Sequence, residues 1–129
     1  MDNIPTGTWI VVADGAGARV FTNIGDEKKL TLRQDDLLSQ DDADGGPGKV
    51  PKEQSDADLG EAAFSHQLAH RLNAAALKNQ FAHLVLIADP QSLGRIRPLL
   101  HKETQSRLLR ELGKTMTNAP LEDIQRSLA

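Results

Sequence analysis

The 129-residue chain contains no cysteine, and aromatic residues make up only 3% of it. The absence of cysteine excludes a disulfide framework, a thiol nucleophile and any cysteine-ligated zinc site. One Trp and three Phe are too few, and too far from the bases, to suggest a surface that binds nucleic acid by stacking. No apolar run approaches the roughly 18 residues of a membrane-spanning helix. The opening MDNIPTGTWIVV lacks both the basic stretch and the long apolar core of a secretion signal. A soluble, cytoplasmic protein without a membrane span is expected.

What is present suffices for a single domain over residues 1–129: the length is enough for one real core and too short for two, and the 39% hydrophobic content points to a globular rather than a disordered chain. The net charge of −3 is unevenly spread. Residues 34–60 carry eight acids against two bases, whereas residues 91–129 carry seven bases against four acids. The middle of the chain would repel nucleic acid, and the C-terminal third could touch it.

Periodicity organises the chain. Thr8–Ala13 is apolar and β-branched and stops at Asp14-Gly15, which reads as a buried strand. Ala18–Asn23 resumes the strand character after a short glycine connector, so the two form a hairpin. Alternation at Leu30, Leu32 and Gln34 suggests a third, half-buried strand. Residues 38–55, rich in Gly, Pro and Asp, read as a flexible acidic loop. Asp58 and Glu61 have the spacing of an aspartate capping box for a helix running to about Lys78. Its inward face would be Phe64, Leu68, Leu72 and Ala75, with His66, His70 and Asn73 opposite. Ala82–Ala88 (AHLVLIA) reads as a strand buried on both faces. A short helix over Leu93–Leu100 follows, extended by Lys102–Ser106. Leu108–Leu112 reads as an edge strand. Thr117-Asn118-Ala119-Pro120 would cap a last helix with Leu121, Ile124 and Leu128 inward.

The expected order is therefore β-β-β-α-β-α-β-α. This is an α/β, ribonuclease H-like fold: a five-stranded mixed sheet, an antiparallel three-strand meander followed by parallel strands, with helices on both faces.

Three stretches, Trp9–Phe21, Phe81–Arg97 and Glu111–Thr117, together resemble the bacterial host attachment protein family. That family is similar to the middle domain of archaeal and eukaryotic peptide-chain release factors. The resemblance implies a role in attachment to host cells and singles out Asp14, Arg19 and a Leu93-Gly94 turn as structural positions. Release factors carry a catalytic Gly-Gly-Gln on the loop before the first long helix. Here the corresponding residues are Gly45, Gly46 and Pro47, so the glutamine is missing and the surroundings are acidic.

Four acids, Asp14, Glu61, Asp89 and Asp123, occupy places loosely comparable to the metal-binding carboxylates of ribonuclease H enzymes. Acids at element ends also accept turn and cap amides, and Asp14 reads first as hairpin punctuation paired with Arg19. His66 and His70 have zinc spacing, but the string HQLAH lacks the glutamate of a zinc-protease helix, and His83 and His101 supply no obvious third ligand. Gly45–Lys49 fails as a phosphate loop because Pro47 removes an amide and no Lys-Ser or Lys-Thr follows. Arg95, Arg97, Arg107, Arg110 and Lys114 form a candidate basic patch. The leading reading is a non-enzymatic protein that binds ribosome, RNA or a protein partner, with no cofactor or metal. The alternative is a metal-dependent nuclease or a divergent peptidyl-tRNA esterase.

Overall fold

The computed structural model describes residues 4–26, 28–39 and 56–128. Its elements are β1 (Trp9–Ala13), β2 (Gly17–Asn23), β3 (Leu32–Ser39), α1 (Asp56–Leu77), β4 (Leu84–Ala88), α2 (Pro90–Ile96), a 3-10 turn (Arg97–Leu99), α3 (Lys102–Ser106), β5 (Leu108–Gly113) and α4 (Leu121–Leu128). The five strands form one sheet in the order β3-β2-β1-β4-β5. WIVVA and LVLIA lie side by side in parallel, from Trp9 opposite Leu84 to Ala13 opposite Ala88. β2 is antiparallel to β1, β3 is antiparallel to β2, and β5 is parallel to β4.

The central strands are apolar at every position because both faces are covered. Val11, Ala13, Leu84, Leu86 and Ala88 pack with Phe64, Leu68, Leu72 and Ala76 of α1 and with Leu93 and Ile96 of α2. The intervening residues Ile10, Val12, Val85 and Ile87 join Phe21 and Leu32 beneath Ile124 and Leu128 of α4. The period of two along each strand thus feeds two separate apolar layers.

Several boundaries differ from those expected. β3 continues to Ser39, so the first two residues of the expected loop are strand, and 40–55, including Gly45, Gly46 and Pro47, lie outside the described residues. α1 starts at Asp56, which puts Asp58 inside the helix and removes the capping box. It ends in a Schellman motif: Asn79 takes a positive φ of 57°, Gln80 N donates to Ala75 O at 2.9 Å and Asn79 N to Ala76 O at 3.0 Å. The expected helix over 93–100 begins earlier, at Pro90, because Asp89 caps it by accepting from Ser92 N. Leu93 and Gly94 are therefore helical, not a turn. Pro98 has no amide to continue the α ladder, so the chain tightens to a 3-10 turn and restarts as α3. Two α-helices and the 3-10 turn therefore join β4 to β5, and the observed order is β-β-β-α-β-α-α-β-α.

Candidate functional site

β1 and β4 end together, so Asp14 and Asp89 emerge side by side at the carboxyl edge of the parallel strands, the usual place for a site in such sheets. The backbone must reverse immediately after Ala13, and Asp14 organises that turn. Its Oδ1 accepts from Ala16 N at 2.8 Å and Gly17 N at 2.9 Å. Its Oδ2 accepts from the Thr117 hydroxyl at 2.5 Å, 103 positions along the chain.

Arg19 does not pair with Asp14 as expected; both hold the same distant turn instead. Arg19 Nη1 donates to Ala119 O at 2.7 Å and Thr117 O at 3.2 Å, and Nε donates to Gln34 Oε1 at 3.1 Å. Its guanidinium carbon sits 4.9 Å from the centroid of Phe21, within cation–π range. The first hairpin thereby fixes the segment that leads into α4.

Glu61 takes no capping role. It lies against the hairpin turn, where a Cβ added to Gly15 would come within 2.5 Å of its Cγ and Cδ. Its Oε1 accepts from Arg95 Nη1 at 3.2 Å. Asp89 accepts from Ser92 N at 3.1 Å through Oδ2, while its buried Oδ1 has no hydrogen-bond partner among the described residues. Asp123 pairs with Arg126 of its own helix at 3.2 Å. Among the described residues no three His, Asp or Glu side chains converge as metal ligands would. His66, His70 and His101 are exposed and His83 is half-buried.

The close fit of Gly15 against Glu61 makes a test of this corner. Gly15→Ala is expected to destabilise the fold by about 1–2 kcal/mol through overpacking. Glu61→Ala in the same chain should recover most of that loss, a coupling of about 1 kcal/mol in a double-mutant cycle of urea midpoints. Additive effects would mean that the two residues do not press on one another.

The five expected basic residues divide by role. Arg107, whose side chain is 17% exposed, is a clamp: it donates to Phe81 O at 2.6 Å, Asn79 Oδ1 at 2.9 Å and Glu103 Oε1 at 2.8 Å. Arg95 holds Glu61. Arg97 and Arg110 lie along β5, the first bonded to Glu111 at 2.7 Å and 3.3 Å, the second reaching Leu128 O at 3.0 Å. Lys114 is exposed just past the strand. A shallow groove of about 460 Å³ runs here, lined by Arg97, Leu100, Gln105, Leu108, Leu109, Arg110 and Glu111.

Asn73 and Thr117 carry contacts that the sequence reading did not assign. Asn73 is buried rather than solvated; it donates to Leu99 O at 3.0 Å and accepts from His101 N at 2.9 Å and Thr104 Oγ1 at 2.6 Å. The nearest local sign of Thr117 was its place at the turn before Pro120, which marks a helix start but not the partner across the sheet.

These features define a small α/β domain whose carboxyl edge is tied together by its own side chains and whose last strand borders an open groove. The chain belongs to bacterial archaeo-eukaryotic release factor family 12, whose family model matches residues 7–128. No curated protein matches it significantly.

Proposed function

We propose that the protein is a non-enzymatic, translation-associated binding domain that works in the cytoplasm and contacts the ribosome through the outward cations beside β5, Arg97 and Lys114. What supports binding over catalysis is the loop sequence: by the resemblance, Gly45-Gly46-Pro47 corresponds to the Gly-Gly-Gln of release factors, with proline in place of the glutamine. Proline has no side-chain amide with which to position a water on an ester, and no backbone N–H to offer in its place. The order of strands supports reading the fold as ribonuclease H-like and akin to the release-factor middle domain. A part in attachment to host cells would then be an indirect consequence of binding inside the cell.

A nuclease built on Asp14, Glu61, Asp89 and Asp123 would need carboxylates free to coordinate metal. Asp14 has both oxygens engaged, Glu61 holds Arg95 and Asp123 holds Arg126, while Asp89 caps α2 through one oxygen and keeps the other without a partner among the described residues. The binding reading leaves these contacts in place.

Co-sedimentation with bacterial ribosomes tests the proposal. Binding at about 50 mM salt should fall steeply by about 300 mM as phosphate contacts are screened. Arg97→Glu with Lys114→Glu should lower the bound fraction roughly fivefold or more at low salt, with little loss of fold because the Arg97–Glu111 pair is largely exposed on its arginine side. Equal sedimentation of the variant would remove this patch from the interface. Hydrolysis of peptidyl-tRNA by the purified protein would overturn the non-enzymatic reading.

A further inference from the structure

β5 is an end strand of the sheet, and one of its edges has no partner among the described strands. Leu108 to Leu112 are nevertheless half-buried: Leu108 packs against the apolar layer that holds Ile96 and Leu100, and Leu109 and Leu112 against the layer that holds Ile124 and Leu128. The groove runs along that edge. Leu100, Leu108 and Leu109 line it with apolar surface, and Arg97, Gln105, Arg110 and Glu111 supply its polar groups. Pairing with β4 slips between Leu84 and Val85, which leaves Leu109 as the extra residue and the strand regular from Arg110 to Gly113.

We propose that this edge is a docking groove for an extended peptide of a protein partner, one that adds a strand to β5 and carries alternating leucine-like and acidic side chains. Unpaired strand backbone supplies the hydrogen bonds of such complexes, and neighbouring side chains choose the sequence. The leucine surface accepts an apolar side chain. Arg97, 58% exposed on its side chain while paired with Glu111, keeps a solvent-facing guanidinium beside the groove, and Lys114 adds positive charge past the strand. This matches the excess of bases in the C-terminal third. Nucleobases fit the groove itself less well, because no aromatic ring lines it for a base to stack upon, whereas phosphate contacts of Arg97 and Lys114 do not depend on the groove. A two-fold pairing with a second copy fits poorly too. Opposed residues of antiparallel strands share a face, so a register centred on the strand sets Arg110 against its own mate or Glu111 against its own.

The test is an amide NMR titration of the intact protein with a capped hexapeptide, acetyl-Glu-Leu-Val-Leu-Glu-Ser-amide. Saturable shifts should concentrate on Gln105 and on Leu108 to Gly113, and exchange of β5 edge amides should slow. Methylating alternate peptide nitrogens on the pairing edge should weaken binding roughly tenfold or more, the effect of losing about two hydrogen bonds. Replacing both glutamates by lysine should also weaken it. These arms change the peptide and leave the protein constant, so folding cannot confuse them. The proposal is overturned by an absence of shifts up to about 1 mM peptide, or by equal affinity of the methylated peptide. It is overturned as well by tighter binding of oligouridylate at the same residues, or by concentration-dependent dimers that occupy β5.

Discussion

Asn23→Asp is expected to destabilise the protein by about 4 kcal/mol at neutral pH, a large part of the roughly 5–15 kcal/mol of a small domain. Asn23 is completely buried at the end of β2. Its Nδ2 donates to Ile4 O at 3.0 Å and Pro5 O at 3.2 Å, and its Oδ1 accepts from Gly25 N at 3.0 Å and Thr31 N at 3.1 Å. All four bonds that an amide can make are therefore made, and they tie the first described residues to both sides of the β2–β3 turn. Aspartate keeps the acceptor but turns a second oxygen toward two carbonyls and buries a charge. Asn23→Ala loses all four bonds but buries no charge and aims no oxygen at a carbonyl, so it should cost less, about 3 kcal/mol.

The difference between these two variants should depend on pH with a definite sign. An aspartate in this site has a folded pKa above its unfolded one, so the unfolded chain gives up its proton first as pH rises. Stability of Asn23→Asp then falls as pH climbs from about 4, while Asn23→Ala shows no such added slope. Urea unfolding at acid and neutral pH reads both effects. An aspartate variant as stable as the alanine variant at neutral pH would mean that Ile4 and Pro5 can move away from the site.

Asn23 also shows where sequence reading reaches its limit. WIVVA and LVLIA could be placed as the central parallel pair because unbroken apolar runs need cover on both faces. β5 could be placed as an edge strand because it follows a helix–strand rhythm, although Leu-Leu-Arg-Glu-Leu does not itself alternate. Asp14 was legible as punctuation, since an aspartate before glycine at a strand end finds turn amides within three residues. Its second oxygen was not, because Thr117 is brought there only by the sheet. The same holds for Glu61 and Arg95. Local spacing offered Glu61 a capping role, but starting the helix at Asp56 left its side chain inside α1, facing Gly15 and α2. Binary pattern sends polar residues outward, so a buried asparagine with distant partners leaves no local trace. The candidate basic patch divides for the same reason: adjacent arginines look equal in sequence, while Arg107 is a clamp and Arg97 reaches solvent.

Asn73→Ala is expected to cost about 3 kcal/mol and to act first on the roof of the β5 groove. The three bonds of Asn73 run from α1 to Leu99, His101 and Thr104, the stretch where the 3-10 turn passes into α3. Thr104 is fully buried, so removing the asparagine strands its hydroxyl together with the Leu99 carbonyl and the His101 amide. Thr104→Val alone removes one of the two donors to Asn73 Oδ1 and should cost about 1 kcal/mol. The double variant should be less unstable than the sum of the two by about 1 kcal/mol, because the hydroxyl left stranded in the first is absent from it. Hydrogen exchange separates a local from a global effect. In Asn73→Ala the amides of 97–106 should lose protection before those of β1 and β4, which sit in the deepest part of both cores. Leu100 and Gln105 line the groove and belong to that same stretch, so peptide affinity at β5 should fall in Asn73→Ala under conditions where the sheet is intact. Loss of protection that began in β1 and β4 would instead make Asn73 a support of the whole domain.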